Sequence, residues 1–154
     1  MTRILVSACL LGICCRYDGK EKADDRVLEL AKRDDILLIP VCPEQLGGMK
    51  TPRLPSERRG SRVVNSAGED VTGYYDKGAS QVLKLAELYG CKTAILKERS
   101  PSCGQGQIYD GTFSGTLTEG DGVTAELLKC HGIQVFGESE ADAVCGTDRL
   151  GFKG

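Results

Sequence analysis

Three of the eight cysteines, Cys9, Cys42 and Cys103, stand apart because of what precedes them. "RILVSAC" (3–9) and "ILLIPVC" (36–42) are apolar runs ending in a thiol, and "KERSPSCG" carries Cys103 shortly after a third run, "KTAILKE" (92–98). Thiolates are soft ligands and strong nucleophiles, so three delivered to one place suit metal binding or thiol chemistry. Polar neighbours accompany them. "CPE" places Glu44 two residues beyond Cys42, and "RSPSCG" places Ser100 and Ser102 just ahead of Cys103. A carboxylate and hydroxyls beside an open metal are the parts that acid–base work on a bound substrate needs. Each alone has a plainer reading: Glu44 as a helix-start charge or an exposed loop acid, and Ser100-Pro101 as turn chemistry.

The elements that must position these residues can be read from hydropathy. Four nearly continuous apolar segments, 3–9, 36–42, 92–98 and "GIQVFG" (132–137), read as buried parallel strands. Helical patterns separate them over 23–33, 76–90 and 122–132, with a short closing helix expected over 138–150. Gly90 and Gly132 stand where helix C-caps belong. Alternating strands and helices imply right-handed crossovers. The expected fold is α/β, a small three-layer, Rossmann-like domain with a mostly parallel sheet of about four strands, covering 1–154. In such a sheet ligands bind beyond the carboxyl ends of the strands. Cys9, Cys42 and Cys103, though 33 and 61 residues apart, all lie at such ends.

Residues 43–75 depart from the pattern, with three prolines, several glycines and a run of arginines. This segment reads as an insertion, a lid or substrate loop with a small hairpin in "RVVNSAGEDVT" turning at Ala67-Gly68. The other five cysteines read differently. Cys91 begins a strand at its opposite end, Cys130 lies on a helix and Cys145 near the C-terminus, and all three fit as small buried hydrophobes. Cys14 and Cys15 are close enough to Cys9 to join it, yet also fit simple packing before the turn "RYDG".

Composition narrows the class. A net charge of −2 gives no general pull toward nucleic acid or an anionic membrane. The run "ILVSACLLGICC" is far short of a membrane span. Only five residues separate Arg3 from Cys9, too few for a secretory signal, so a cytoplasmic protein is expected. In a reducing compartment eight cysteines point to metal or thiol chemistry rather than disulfides. Structural zinc favours paired short spacings such as C-x₂-C, and none occurs. A [4Fe–4S] cluster usually takes four cysteines; held by three, it would leave one iron open as a Lewis acid. Two other classes stay open on the residues alone. A thiol redox sensor using Cys14 and Cys15 or the Cys9 group requires a low-pKa thiol. A non-catalytic nucleotide-binding module with a structural metal is permitted by the sheet crevice, although no G-x-G-x-x-G or P-loop is present.

The blocks "VSACLLG…CRYDG", "PVCPEQLGG…PR" and "KERSPSCG", in this order, resemble the 2-thiouracil desulfidase family across roughly residues 3–148. The resemblance implies non-redox hydrolytic removal of sulfur from a thiolated pyrimidine by an oxygen-sensitive [4Fe–4S] cluster. It places the three cluster ligands on Cys9, Cys42 and Cys103 and the acid–base pair on Glu44 and Ser100. It also implies an open fourth iron that takes the substrate's sulfur and a small-molecule thiopyrimidine substrate.

Overall fold

The computed structural model describes residues 1–144. Four strands, β1 (Thr2–Ser7), β2 (Ile36–Val41), β5 (Thr93–Leu96) and β8 (Gln134–Gly137), form one all-parallel sheet in the order β2-β1-β5-β8. Strand direction of travel reverses at β1, whose two neighbours are the next two strands of this sheet. That reversal opens a crevice at the carboxyl ends.

Strand pleating explains the layers. Ile4 and Val6 of β1 point to one face with Ile95, where they pack with Val27 and Leu30 of α1 (Asp25–Ala31). Leu5 points to the other face with Ala94 and Leu96, against Val82 and Ala86 of α3 (Thr72–Tyr89) and Leu128 of α4 (Val123–Cys130). Both faces are covered, as a parallel sheet requires. Local signals agree with this arrangement. Asp24 caps α1 by accepting from the backbone N–H groups of Arg26 and Val27. Gly90 ends α3 in the left-handed conformation, φ 67°. The expected closing helix begins with a 3₁₀ turn over Glu138–Glu140 and a helical turn over 141–144; its remainder lies outside the described residues. No helix among the described residues is long and apolar enough to cross a membrane.

Three further elements stand at the carboxyl edge. The short helix α2 (Pro43–Leu46) follows β2 immediately. The antiparallel pairs β3 (Ser56–Arg59) with β4 (Arg62–Asn65), and β6 (Gln107–Tyr109) with β7 (Leu117–Glu119), form two hairpins. The chain reverses between Arg59 and Arg62 and again at Ala67-Gly68, where the sequence predicts it: there Asn65 Oδ1 accepts from Ala67 and Glu69, the Asn65 N–H donates to the Glu69 carbonyl, and Val64 bridges antiparallel to Asp70. The β6–β7 hairpin has no counterpart in the sequence reading; its strands are three residues each, too short for a periodic signal.

Candidate active site

The apolar run before Cys9 is β1, and the chain then makes a single 3₁₀ turn over Ala8–Leu11 that holds Cys9 just beyond the strand end. The Cys9 carbonyl accepts from Gly12 and Lys22, which fastens the following loop across it. Cys42 is the residue between β2 and α2. Cys103 lies in the turn after β5, buried against the α3–α4 side of the sheet, whereas Cys9 and Cys15 close the α1 side. Both apolar layers end at one cavity of about 490 Å³, and Cys9, Cys15, Cys42 and Cys103 all line it. Glu44 and Ser100 line it as well.

Cys15 is the member whose place the sequence left open. It is 3% exposed. Its thiol contacts those of Cys42 and Cys9, and its carbonyl accepts from the Cys42 thiol at 3.7 Å. Cys14, its neighbour, is exposed. Cys91 is buried at the far end of β5, as expected, but Cys130 is exposed at the end of α4 rather than packed. Cys145 lies outside the described residues.

Three of the cavity thiols, Cys15, Cys42 and Cys103, are pushed toward the protonated form by their surroundings. For Cys15, contact with Cys42 pulls downward, but the hydrogen bond to Cys9 and burial together push it up to about 11. Cys42 is raised well above the ordinary thiol range, first by its contact with Cys15 and then by burial. Burial pushes Cys103 up to about 12, against a hydrogen bond from Ser7. Neutral, desolvated, closely grouped sulfurs are poor free nucleophiles. They become good ligands when a metal cation replaces their protons.

Glu44 sits in the first turn of α2, so the helix-start reading holds, and its side chain also turns into the cavity. One oxygen, Oε1, accepts from Arg53 Nε at 2.8 Å. Arg53 also donates to the Cys15 carbonyl at 2.9 Å, to Thr51 Oγ1 at 2.9 Å and to the Lys50 carbonyl at 3.1 Å. Tyr75, buried in α3, lines the same cavity. Burial first, and then the Glu44 carboxylate, push its phenol well above the usual range.

Ser100 does two things. Its Oγ accepts from the backbone N–H groups of Ser102 at 3.1 Å and Cys103 at 3.0 Å, which shapes the turn that presents Cys103. A hydroxyl oxygen has two acceptor positions. With both filled, Ser100 keeps only its proton to offer the cavity. Ser102 is a different case: it is completely buried and bonded to Thr124 Oγ1 at 2.8 Å, so it anchors the turn to α4 and is not a site hydroxyl.

Comparison with known proteins gives the family. The family model described as 2-thiouracil desulfurase matches residues 4–140. The uncharacterized protein YbbK of Bacillus subtilis (strain 168) is 44% identical, with 92% of this chain and 99% of that protein covered. The solved structure of a [4Fe-4S]-dependent thiouracil desulfidase, TudS, superposes with a TM-score of 0.90 at 44% identity, covering 97% of this chain and 99% of that one. A match of this extent, on a chain whose marked cysteines, glutamate and serine meet in one cavity, shows that the protein belongs to the 2-thiouracil desulfurase family.

Proposed function

We propose that this protein removes sulfur from a thiolated pyrimidine such as 2-thiouracil by non-redox hydrolysis, acting in the cytoplasm. Water supplies the oxygen, the oxo-pyrimidine and sulfide leave, and no electrons change hands. The observation that carries this reading is the convergence of Cys9, Cys42, Cys103, Glu44 and Ser100 on one cavity at the carboxyl edge of the sheet.

The donor set fits an iron–sulfur cluster. Three sulfurs from three chain segments face a cavity large enough for a polynuclear group and a flat ligand beside it. Among the described residues no three His, Cys, Asp or Glu side chains are grouped as ligands of a single ion. Cys9, Cys42 and Cys103 would hold the cluster. When bound, the cluster supplies a soft Lewis-acid iron free of protein thiolate, which draws electron density from a thiocarbonyl carbon through its sulfur.

This chain's own residues do the rest. Arg53 fixes one Glu44 oxygen and leaves the other to orient a water and accept its proton. Ser100, with both acceptor positions occupied, donates its hydroxyl proton toward charge developing on the substrate; its two backbone N–H partners steady the oxygen as it does so. The roles therefore divide by hydrogen-bond capacity: Glu44 accepts and Ser100 donates.

The test is Glu44→Gln, assayed anaerobically for 2-thiouracil turnover and for iron per chain on the same sample. The expected result is an unchanged cluster spectrum with turnover reduced roughly 10²–10⁴-fold. Full occupancy with normal turnover removes Glu44 from the mechanism.

A further inference from the structure

Two residues other than glycine carry a left-handed backbone among the described ones, Arg99 at φ 68° and Phe113 at φ 57°. Both line the cavity. A left-handed conformation is costly for any residue with a Cβ, and for a bulky one it is a genuine outlier. Such conformations persist where surrounding structure enforces them, and they gather at functional sites.

The enforcement at Phe113 is visible. The residue lies in the turn between β6 and β7. Glu57 of β3 reaches across and accepts through Oε1 from two backbone groups of that turn, Gly111 N–H at 3.0 Å and Phe113 N–H at 3.1 Å. Arg59 of the same strand donates to the Gly111 carbonyl at 2.7 Å. A Cβ at Gly111 would lie 2.4 Å from Arg59 Cγ, so the two hairpins meet with no room to spare. One hairpin thus clamps the other and fixes the phenyl group over the cavity.

The fold gains no core packing in return. Phe113 belongs to none of the three buried apolar clusters and remains half-exposed. Glycine, the ordinary occupant of such a backbone, already stands at Gly111 (φ 92°) and Gly115 (φ 78°) in this turn. Two of the other aromatic rings of the cavity are otherwise engaged. Tyr17 carries the Arg16 guanidinium over its face, 5.7 Å from the centroid. Tyr75 is 1% exposed and packs with Val63 and Val71. Tyr109 sits in β6, in ordinary strand conformation.

We propose that Phe113 is a specificity-determining residue whose ring stacks on the pyrimidine ring of the substrate, held in place by the Glu57 clamp. This rests on the thiopyrimidine reading above. A flat π-system accepts a phenyl face whatever its exocyclic groups, so stacking selects for the ring while Glu44 and Ser100 act at its sulfur-bearing carbon.

The experiment compares Phe113→Gly, Phe113→Leu and Phe113→Tyr with the unaltered protein, all cluster-loaded. It reads KM and kcat for 2-thiouracil, iron per chain and melting temperature. Phe113→Gly is expected to raise KM about ten- to a hundredfold, the usual weight of one base–aromatic stack, with kcat and iron content nearly unchanged. Its melting temperature should hold or rise, because relief of left-handed strain matches or exceeds the chain entropy that glycine adds. Phe113→Leu, apolar without a π-face, should share the KM defect, and Phe113→Tyr should restore KM. An unchanged KM in Phe113→Gly overturns the proposal. So does a melting temperature lowered by several degrees with kcat and iron falling together, which would make Phe113 a structural residue. Turnover by the unaltered protein separates the two levels: if it fails there, the thiopyrimidine reading fails first.

Discussion

Gly78→Ala tests whether the backbone contact behind Glu44 is as tight as the structure has it. Gly78 lies inside α3, and a Cβ built on it would stand 2.0 Å from the Pro43 carbonyl oxygen of α2. Gly47 makes the reciprocal approach, 2.0 Å from the Tyr74 carbonyl oxygen. Ordinary contact begins near 3.4 Å, so α2 must retreat by about 1.4 Å to admit one methyl group. The obstacle is backbone, which cannot rotate away as a side chain can. Helix propensity favours alanine here by about 1 kcal/mol, while forcing a group into a packed contact costs about 1–3 kcal/mol. The expected net is destabilisation of up to about 2 kcal/mol in chemical denaturation. Glu44 is the residue next to Pro43 and moves with it, and a 1 Å misplacement of that kind can lower turnover about 10²-fold. Gly73→Ala is the internal control: it is exposed on the same helix with nothing within 4 Å of a Cβ, and should gain up to about 1 kcal/mol with normal turnover. If Gly78→Ala is stabilised like Gly73→Ala and keeps its turnover, the close packing of α2 on α3 does not set the position of Glu44.

Alanine at Cys9, Cys42 or Cys103 should abolish iron binding in anaerobic preparations, whereas Cys91→Ala, at the opposite end of the sheet, should keep full iron; equal losses at both ends refute the ligand assignment. Ser100→Ala removes an acceptor from two backbone N–H groups, so denaturation should show a loss of about 1–3 kcal/mol, together with a turnover loss of roughly 10²–10⁴-fold at full cluster occupancy. Asp70 is held down to about 2 from 3.8, chiefly by the Thr72 hydroxyl and N–H and then by Arg62. A depressed carboxyl stabilises the fold above its unfolded value and loses that contribution as pH falls through the folded one. The melting-temperature deficit of Asp70→Ala should therefore level off well above the unfolded value of 3.8 and shrink as the pH falls through about 2; a deficit as large at pH 2 as at neutral pH would refute the linkage.

The sheet was legible because its two central strands, β1 and β5, are buried on both faces. Continuous apolar runs such as "ILVSAC" and "TAIL" have few alternatives, and the glycine at 90 ends α3 where the pattern said it should. From the strands, the rule that ligands lie beyond carboxyl ends was enough to bring Cys9, Cys42 and Cys103 together. The short elements at that edge were not legible. A three-residue strand such as Gln107–Tyr109 has no period to detect, and its place is set by Glu57 and Arg59 reaching from another hairpin. Cys15 remained undecided for a similar reason: one residue separates an exposed Cys14 from a buried Cys15, and only the closing of the loop over Cys9 decides which faces inward.

The arginine-rich segment shows the same division more sharply. From composition, residues 43–75 read as a lid, and several of them do wall the cavity. What composition could not convey is that a single guanidinium joins the segment to the site. Arg53 binds Glu44 nine residues away and the Cys15 carbonyl 38 residues away, and its backbone N–H donates to the Tyr17 carbonyl. Its side chain is 6% exposed and that of Glu44 is 16% exposed. Removing one member of a buried ion pair strands the other, at about 3–5 kcal/mol. Arg53 and Glu44 therefore define one another: the carboxylate neutralises a cation that the loop would otherwise bury alone, and the cation turns the carboxylate into the cavity. That coupling is also why glutamine, which keeps an acceptor oxygen for Arg53 Nε, separates proton transfer from folding at position 44, where alanine would disturb both.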